Sequence, residues 1–374
     1  MSPIFTNLLG LACISLVVGF SILRCILFLA KKYDILDRPH LYKTEAGRKP
    51  VPYGIGIAII STLLLVAPVI PYLFDISPTL EKKLFIVLSL SAIIGIISAL
   101  DDLDTIGKSR ISVPPLFRLL MQIGVGLVIG ITSIKISYIS NLFGGTLPLD
   151  EYFFQIDLLG KIFTIYYIPL FITVFWYVLV FNSINFSDGI PGLAGGFSLI
   201  SFIILGFLAL KLYFTDTTEA AVENSQFILI LVMILLPITA LVTAHDIKRT
   251  GIMGDSGTIL LAFFIATLAI VAGGKIATAM SVIGIYLIDL IYVVGIRIMQ
   301  GKSPMKGDQT HHLHFRLLEL GFTHANIRNI IYILAASFGV AAIFLDTGGK
   351  IILFIFITII TLFMTKILSI VRKK

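Results

Sequence analysis

The chain has 374 residues, 57% of them hydrophobic and 13% charged, and its formal net charge at pH 7 is +7. That composition excludes an ordinary soluble domain, in which about a quarter of the residues are charged. The positive balance, which in a soluble protein would point to nucleic acid, falls here mostly in one set of loops between apolar runs and reads as a topology signal.

In chain order, apolar runs long enough to cross a bilayer recur at about 4–30, 53–74, 84–100, 114–136, 162–181, 194–214, 226–244, 257–273, 277–300, 328–345 and 350–370. They predict an all-α polytopic integral membrane protein with about eleven transmembrane helices, because lipid leaves open backbone groups unsatisfied. The period-two alternation of a barrel is absent. Residues 4–30 read as a retained span, since neither a basic region nor a cleavage site accompanies them. Cys13 and Cys25 both fall in that first run and imply neither a disulfide framework nor a metal site. No repeat or linker divides the chain, so residues 1–374 read as a single integral membrane domain.

Orientation follows from Lys and Arg. Lys31, Lys32, Arg38, Lys43, Arg48 and Lys49 follow the first span. Lys302, Lys306, Arg316 and Arg328 follow the ninth, and Arg372, Lys373 and Lys374 end the chain. The alternate loops are poorer, with Lys82, Lys83, Lys161, Lys275 and Lys350 as their main members. The N-terminus is therefore expected outside and the C-terminus in the cytoplasm. Four polar clusters, 101–110, 182–196, 245–257 and 301–316, then share the cytoplasmic side. Segment 137–160 is long and mixed, and a short hairpin at the outer surface is expected there.

The stretch NSINFSDGIPGLAGG, Asn182 to Gly196, is the longest polar, Gly-rich interruption between apolar runs. Asn182, Asn185 and Asp188 are spaced three apart and share a face if the preceding helix continues. The plain alternative is an ordinary loop between two spans. Asp101, Asp102 and Asp104 end the third span in ALDDLDTIGKSR. Adjacent carboxylates need a cation, a shared proton or good solvation. They read either as Mg2+ ligands or a general base, or as a solvated loop countered by Lys108 and Arg110. Asp255, in IMGDSGTILLAF, opens a span. It reads as part of an N-cap cluster or as a carboxylate that holds Mg2+ against a diphosphate beside free backbone N–H groups.

His311, His312 and His314 lie in KGDQTHHLHFRLLELGF with Arg316 next to them. His311 and His314 share a face if this stretch is helical. With Arg316, Lys302 and Lys306 they suit a phosphate-binding patch. An interfacial amphipathic stretch is the plain alternative, and a zinc site lacks partner ligands at a familiar spacing. Asp289 sits inside an apolar run, where a carboxylate is expensive unless it faces the bundle or a wet cavity. It either supports the site or caps a broken helix. His245, Asp246, Lys248 and Arg249 complete a basic rim.

In this order DDLD, NSINFSDGIPGLAGG, MGDSG and HHLHFRLLELG resemble the motifs of the polyprenyl-phosphate N-acetylhexosamine-1-phosphate transferases, glycosyltransferase family 4, over about residues 30–325. These bacterial membrane enzymes move a sugar 1-phosphate from a UDP-sugar to undecaprenyl phosphate and release UMP. The resemblance implies about eleven helices and a cytoplasmic site. It implies that Asp101 and Asp102 bind Mg2+ or activate the acceptor. Asn182, Asn185 and Asp188 would line the nucleotide and catalytic cleft, Asp255 would ligate Mg2+, and His312 and His314 would contact the donor. The chain departs from the pattern at Pro191, where many members carry a second Asp. It departs again at Phe315, where a further His is common, at His245, where an Asn is frequent, and at Gly54-Ile55-Gly56.

The expectation is a phosphosugar transferase in the bacterial cytoplasmic membrane, opening a cell-envelope glycan such as O-antigen or teichoic acid. Asp101, Asp102 and Asp188 are its expected catalytic residues, and Asp255 with Asp102 its metal ligands. Asn182, Asn185, His311, His312, His314 and Arg316 are expected to bind substrate. The expected cofactor is Mg2+, with Mn2+ the alternative. The expected partners are a UDP-N-acetylhexosamine (UDP-GlcNAc favoured), undecaprenyl phosphate and membrane lipid, with a homodimer left open. A phospho-N-acetylmuramoyl-pentapeptide transferase is the nearest alternative. A secondary transporter is the rival from another class. It requires a midplane cavity at Asp289 with Asp102, Asp188 and Asp255 far apart. An inert scaffold for glycan assembly is a third reading.

Overall fold

The computed structural model describes residues 3–37, 39, 48–109, 113–132, 134–141, 145–158, 160–272, 276–303 and 310–371. Arg38, Lys43, Arg110, Lys275, Lys306 and residues 372–374 lie outside the described residues. In chain order the elements begin with α1 (Pro3–Lys32), α2 (Ile57–Val66), α3 (Ile70–Leu73), α4 (Pro78–Thr105) and α5 (Pro115–Gly130). Four strands follow: β1 (Tyr138–Ser140), β2 (Thr146–Pro148), β3 (Phe153–Leu158) and β4 (Lys161–Tyr166). Then come α6 (Tyr167–Ser187), α7 (Leu193–Thr215), α8 (Glu219–Ile247), α9 (Asp255–Val271) and α10 (Ile276–Met299). The short α11 (Leu313–Glu319), α12 (His324–Phe344) and α13 (Thr347–Val371) complete the chain.

Eight of the described helices are long and apolar enough to cross a membrane: α1, α4, α6, α7, α8, α10, α12 and α13. Three shorter apolar helices, Ile57–Leu73, α5 and α9, fall on the remaining apolar stretches of the sequence. The fold is all-α, as expected. Outward-facing side chains such as Phe171 (72% exposed) and Ile352 (70%) are apolar, which only a lipid surround tolerates along a whole bundle.

The segment expected to form one hairpin forms two. β1 pairs antiparallel with β2, and β3 with β4. The expected span at 162–181 therefore starts late, at Tyr167. The β-branched and aromatic run KIFTIY is taken up by pairing with FFQIDL, in the register Phe153↔Tyr166 to Leu158↔Lys161. These hairpins join the end of α5 to the start of α6. They therefore lie at the end of the bundle opposite the loops that carry the polar clusters.

α9 is the axis of the bundle. Every residue from Ser256 to Val271 is buried. The helix packs against α2, α4, α6, α7, α8 and α10. Seventeen residues span about 25 Å, less than the hydrocarbon core, and a helix wrapped in other helices needs no more. Polar bonds fix its rotation: Trp176 Nε1 donates to the Ala266 carbonyl at 3.1 Å, and Tyr177 Oη and Thr267 Oγ1 lie 2.6 Å apart. Without a hydrophobic drive between helices in lipid, such bonds and close packing carry the association.

The start of α9 is set by Gly254. Its φ of +74° with extended ψ is open only to glycine, and an added Cβ would lie 2.6 Å from Asp102 Oδ1. Gly254→Ala should therefore cost on the order of 1–3 kcal/mol. The expected readout is a lowered apparent melting temperature of the purified protein in detergent, with an unchanged value contradicting the assignment.

Candidate functional site: a carboxylate cluster at the start of the central helix

α9 lacks a side-chain cap of its own. Another helix supplies one. Asp102, near the end of α4 and 4% exposed, accepts the backbone N–H of Asp255 at 2.7 Å through Oδ1 and that of Ser256 at 3.0 Å through Oδ2. A carboxylate at this point satisfies two of the orphan donors of a helix N-terminus and meets the positive end of its dipole. Each such charge-assisted bond contributes about 1.5–3 kcal/mol. Asp102, expected as a catalytic and metal-binding residue, is thereby engaged as the tertiary cap of α9.

That cap draws α4 and α9 together, and Asp101 and Asp255 are left facing each other across the gap. Their carboxyls are within hydrogen-bonding contact. One guanidinium bridges both: Arg118 Nη2 lies 2.7 Å from Asp101 Oδ1, and Nη1 lies 2.9 Å from Asp255 Oδ2. Arg118 sits one turn into α5, and four residues on Gln122 accepts the Asn182 side-chain amide at 2.8 Å. Neither Arg118 nor Gln122 figured among the expected site residues. The signal was available: an Arg and a Gln at helical spacing inside PPLFRLLMQIG are expensive in lipid unless they have work at a site.

Arg118, Gln122, Asn182 and Asn185 form the polar wall of a groove of about 850 Å3 between α5, α6 and α10. The rest of its lining is apolar, with Phe175, Phe186 and Leu290 among the members. α6 does continue through Asn182 and Asn185, as the spacing requires, and ends at Ser187. Asp188 is its C-cap and is half-buried. Burial and the nearby charges of Asp246 and Asp255 push the Asp188 carboxyl well above its ordinary value.

The loop that follows is held from three directions. Asp246, buried at the end of α8, accepts the Gly192 N–H at 2.5 Å. Arg328 donates to the Pro191 carbonyl at 3.1 Å, and Tyr332 donates to the Gly192 carbonyl. The departure at Pro191 thus removes a side-chain carboxylate while its carbonyl serves as an anchor.

The histidines do not form the expected basic patch. α11 begins at Leu313 with His312 at its N-cap, so His311 and His314 share no helical face. His311 Nδ1 lies 2.9 Å from the Thr310 hydroxyl, outside the helix. His312 Nδ1 pairs with Asp289 Oδ2 at 2.7 Å, and Asp289 Oδ1 accepts the Leu313 N–H at 2.9 Å. The His314 ring stacks on that of His312 at 5.8 Å and lies under Gly189, where an added Cβ would be 2.1 Å from its Nε2. Burial, and then the charge of His312, push the His314 imidazole down to about 3, so it is neutral at any working pH. Arg316 is also turned away. Its Nη1 donates to the Thr365 carbonyl on α13 at 2.9 Å, and its guanidinium lies over the Tyr292 ring. Lys302 is exposed beyond α10.

Asp289 therefore supports the histidine loop, and Asp101, Asp102, Asp255 and Asp188 gather at one end of the bundle. That is the opposite of the arrangement the transporter reading requires. Among the described residues no group of three His, Cys, Asp or Glu side chains is set to enclose a metal ion. The Asp101–Asp255 pair nevertheless fits Mg2+, which needs one or two carboxylates and takes its remaining ligands from water and substrate phosphates.

Residues 84–273 match the family model described as glycosyl transferase family 4. The chain is 26% identical over 279 residues to a probable undecaprenyl-phosphate N-acetylglucosaminyl 1-phosphate transferase of Bacillus subtilis (strain 168), covering 73% of this chain and 68% of the relative. It is 28% identical over 327 residues to an undecaprenyl-phosphate alpha-N-acetylglucosaminyl 1-phosphate transferase of Escherichia coli O157:H7, covering 84% and 78%. A decaprenyl-phosphate N-acetylglucosaminephosphotransferase of Mycobacterium leprae is 27% identical over 178 residues, 42% of this chain and 43% of the relative.

The raised Asp188 carboxyl has a thermodynamic consequence. Above the ordinary carboxylate value of about 4 the unfolded chain releases this proton while the folded chain retains it, so the group lowers stability as pH rises. A neutral isostere removes that penalty. Asp188→Asn in EDTA should melt about 2 °C or more above the parent at pH 7, with the gap closing toward pH 4. A lower melting temperature at pH 7 would contradict the assignment.

Proposed function

The chain belongs to glycosyl transferase family 4, and from that premise we propose that it transfers N-acetylglucosamine 1-phosphate from UDP-GlcNAc to undecaprenyl phosphate and releases UMP. The observation that carries the reading is the agreement of two facts. Relatives named for this transfer align over most of the chain, and the carboxylates within the family match gather at one end of one buried helix. The names of these relatives favour a GlcNAc donor over a muramoyl-pentapeptide one.

The apolar groove between α5, α6 and α10 suits a polyprenyl chain that enters sideways from the bilayer. Its polar wall, Arg118, Gln122, Asn182 and Asn185, then receives the phosphate head. An oxygen of that phosphate attacks the β-phosphorus of the UDP-sugar. The bond from the β-phosphorus to the bridging oxygen breaks, and UMP leaves with that oxygen. The lipid keeps its own phosphate and gains the sugar phosphate as a diphosphate.

Asp101 and Asp255 are the residues that would hold Mg2+. When bound, the ion supplies charge neutralisation along the diphosphate. Asp102 keeps the start of α9, and with it Asp255, in register with Asp101. Asp188 retains its proton to a higher pH than an ordinary carboxylate. The Asp289–His312 pair ties the start of α11 to α10 and sets the His312 ring against Phe186, which lines the groove. The rich Lys and Arg loops argue for a cytoplasmic site, where a UDP-sugar is available.

The test is UMP release by purified protein with UDP-GlcNAc, undecaprenyl phosphate and Mg2+. UMP should form only with all three, and Asp255→Asn should lower the rate at least 100-fold, the scale of losing one electrostatic contact to the transition state. UMP from another UDP-sugar alone would change the donor. Folded protein that releases none from any UDP-sugar would overturn the transferase reading.

A further inference from the structure

The pair of carboxylates at the start of α9 already holds a cation, and that cation belongs to the protein. Arg118 spans Asp101 and Asp255 with its two terminal nitrogens, at 2.7 and 2.9 Å. Its Nε is buried and has no hydrogen-bond partner among the described residues. A buried, unpaired N–H donor costs free energy. The bridged position thus satisfies only part of the guanidinium. The same side chain also lines the α5–α6–α10 groove, beside Gln122 and Asn185. Arg118 is thus within reach of two anions: the carboxylate pair on one side and any phosphate seated in the groove on the other.

Arg118 already takes Asp101 Oδ1 and Asp255 Oδ2, two of the four oxygens a divalent ion would draw on, and two cations held at one carboxylate pair repel each other. The guanidinium is the weaker occupant by charge. It is also the better ligand for a phosphate, which it can grip through two parallel N–H bonds.

We infer that Arg118 is an exchangeable counter-cation: it bridges Asp101 and Asp255 when the groove is empty and transfers to a phosphate in the groove, opening the carboxylate pair to a divalent metal. Metal and lipid phosphate then bind with positive coupling. Each removes the competitor of the other, and linkage requires the two effects to be equal. Such a device keeps the metal site closed until the acceptor has arrived. The identity of the phosphate as a lipid head rests on the proposed transferase function. The competition between Arg118 and a metal does not.

The experiment is Mn2+ binding to the full-length protein in detergent, read by electron paramagnetic resonance without nucleotide. Farnesyl phosphate, a short soluble polyprenyl phosphate, is the groove ligand. The parent should bind Mn2+ weakly, and saturating farnesyl phosphate should tighten it about tenfold, within the usual range of coupling between sites. Arg118→Gln should bind Mn2+ at least tenfold more tightly than the parent without lipid, and farnesyl phosphate should no longer change that affinity. Arg118→Lys keeps the charge but loses the two-pronged guanidinium fork, and its shorter side chain holds the carboxylate pair less firmly. It should bind Mn2+ more tightly than the parent and still respond to farnesyl phosphate, and it serves as the readout if Arg118→Gln does not fold.

Equal or weaker Mn2+ binding in the folded variant would overturn the inference, as would a parent whose Mn2+ affinity ignores farnesyl phosphate. Competition without UMP release from any UDP-sugar would leave the exchange standing and sink the transferase reading. UMP release without competition would do the reverse.

Discussion

Like charges forced together need a partner, and the functional end of this bundle is organised around that requirement. Asp101, Asp102 and Asp255 meet where α4 ends and α9 begins. Two solutions serve the three. Asp102 takes the two free amides of α9, and Asp101 and Asp255 share one guanidinium. Removing Arg118 leaves the buried Asp101 without its cation, which destabilises the pair, while the partly exposed Asp255 is screened by solvent. A cation between the two carboxylates therefore stabilises the arrangement.

The rest of the fold serves this meeting point. α9 is short and buried throughout, so its first turn is held within the bundle, beneath the loops. α6 carries Asn182 and Asn185 to the same level and stops at Asp188. The following loop is fixed by Asp246, Arg328 and Tyr332, from α8 and α12. α10 supplies Asp289, whose two oxygens hold the histidine loop down. Polar bonds of this kind matter more here than in a soluble core, because lipid gives helices no hydrophobic reason to pair.

Much of this was legible in the sequence, for physical reasons that differ by element. The spans are visible because crossing a bilayer demands about 20 apolar residues whatever the tertiary contacts. Asp101, Asp188 and Asp255 stand out because charge beside an apolar run is costly and needs a purpose. What the sequence could not show is which of two adjacent aspartates turns inward. Asp102 became a helix cap and Asp101 pairs with Arg118, a choice made by the packing of α4 on α9. The histidine cluster misled for a related reason. Local spacing suggested a basic patch, but burial holds His314 neutral and α13 takes up Arg316. Strand β3 fell in the segment where a hairpin was expected, but β4 was hidden inside the apolar run 162–181, since aromatic and β-branched residues are as apolar as a helix. Arg118 was overlooked because a single basic residue next to a loop resembles a topology signal. Its spacing from Gln122 inside an apolar run marked it, and its distance to two carboxylates on other helices shows its partners.

The central claim is that Asp101 and Asp255 form the cation site and that the histidine loop does not. The most direct measurement is an anomalous-difference map from crystals of the protein grown with Mn2+, UDP and farnesyl phosphate. The account predicts one Mn2+ peak in coordination distance of Asp101 and Asp255, with Arg118 displaced toward the groove. A peak at His311 or His312, or an Asp101–Arg118–Asp255 bridge left intact beside bound metal, would contradict it.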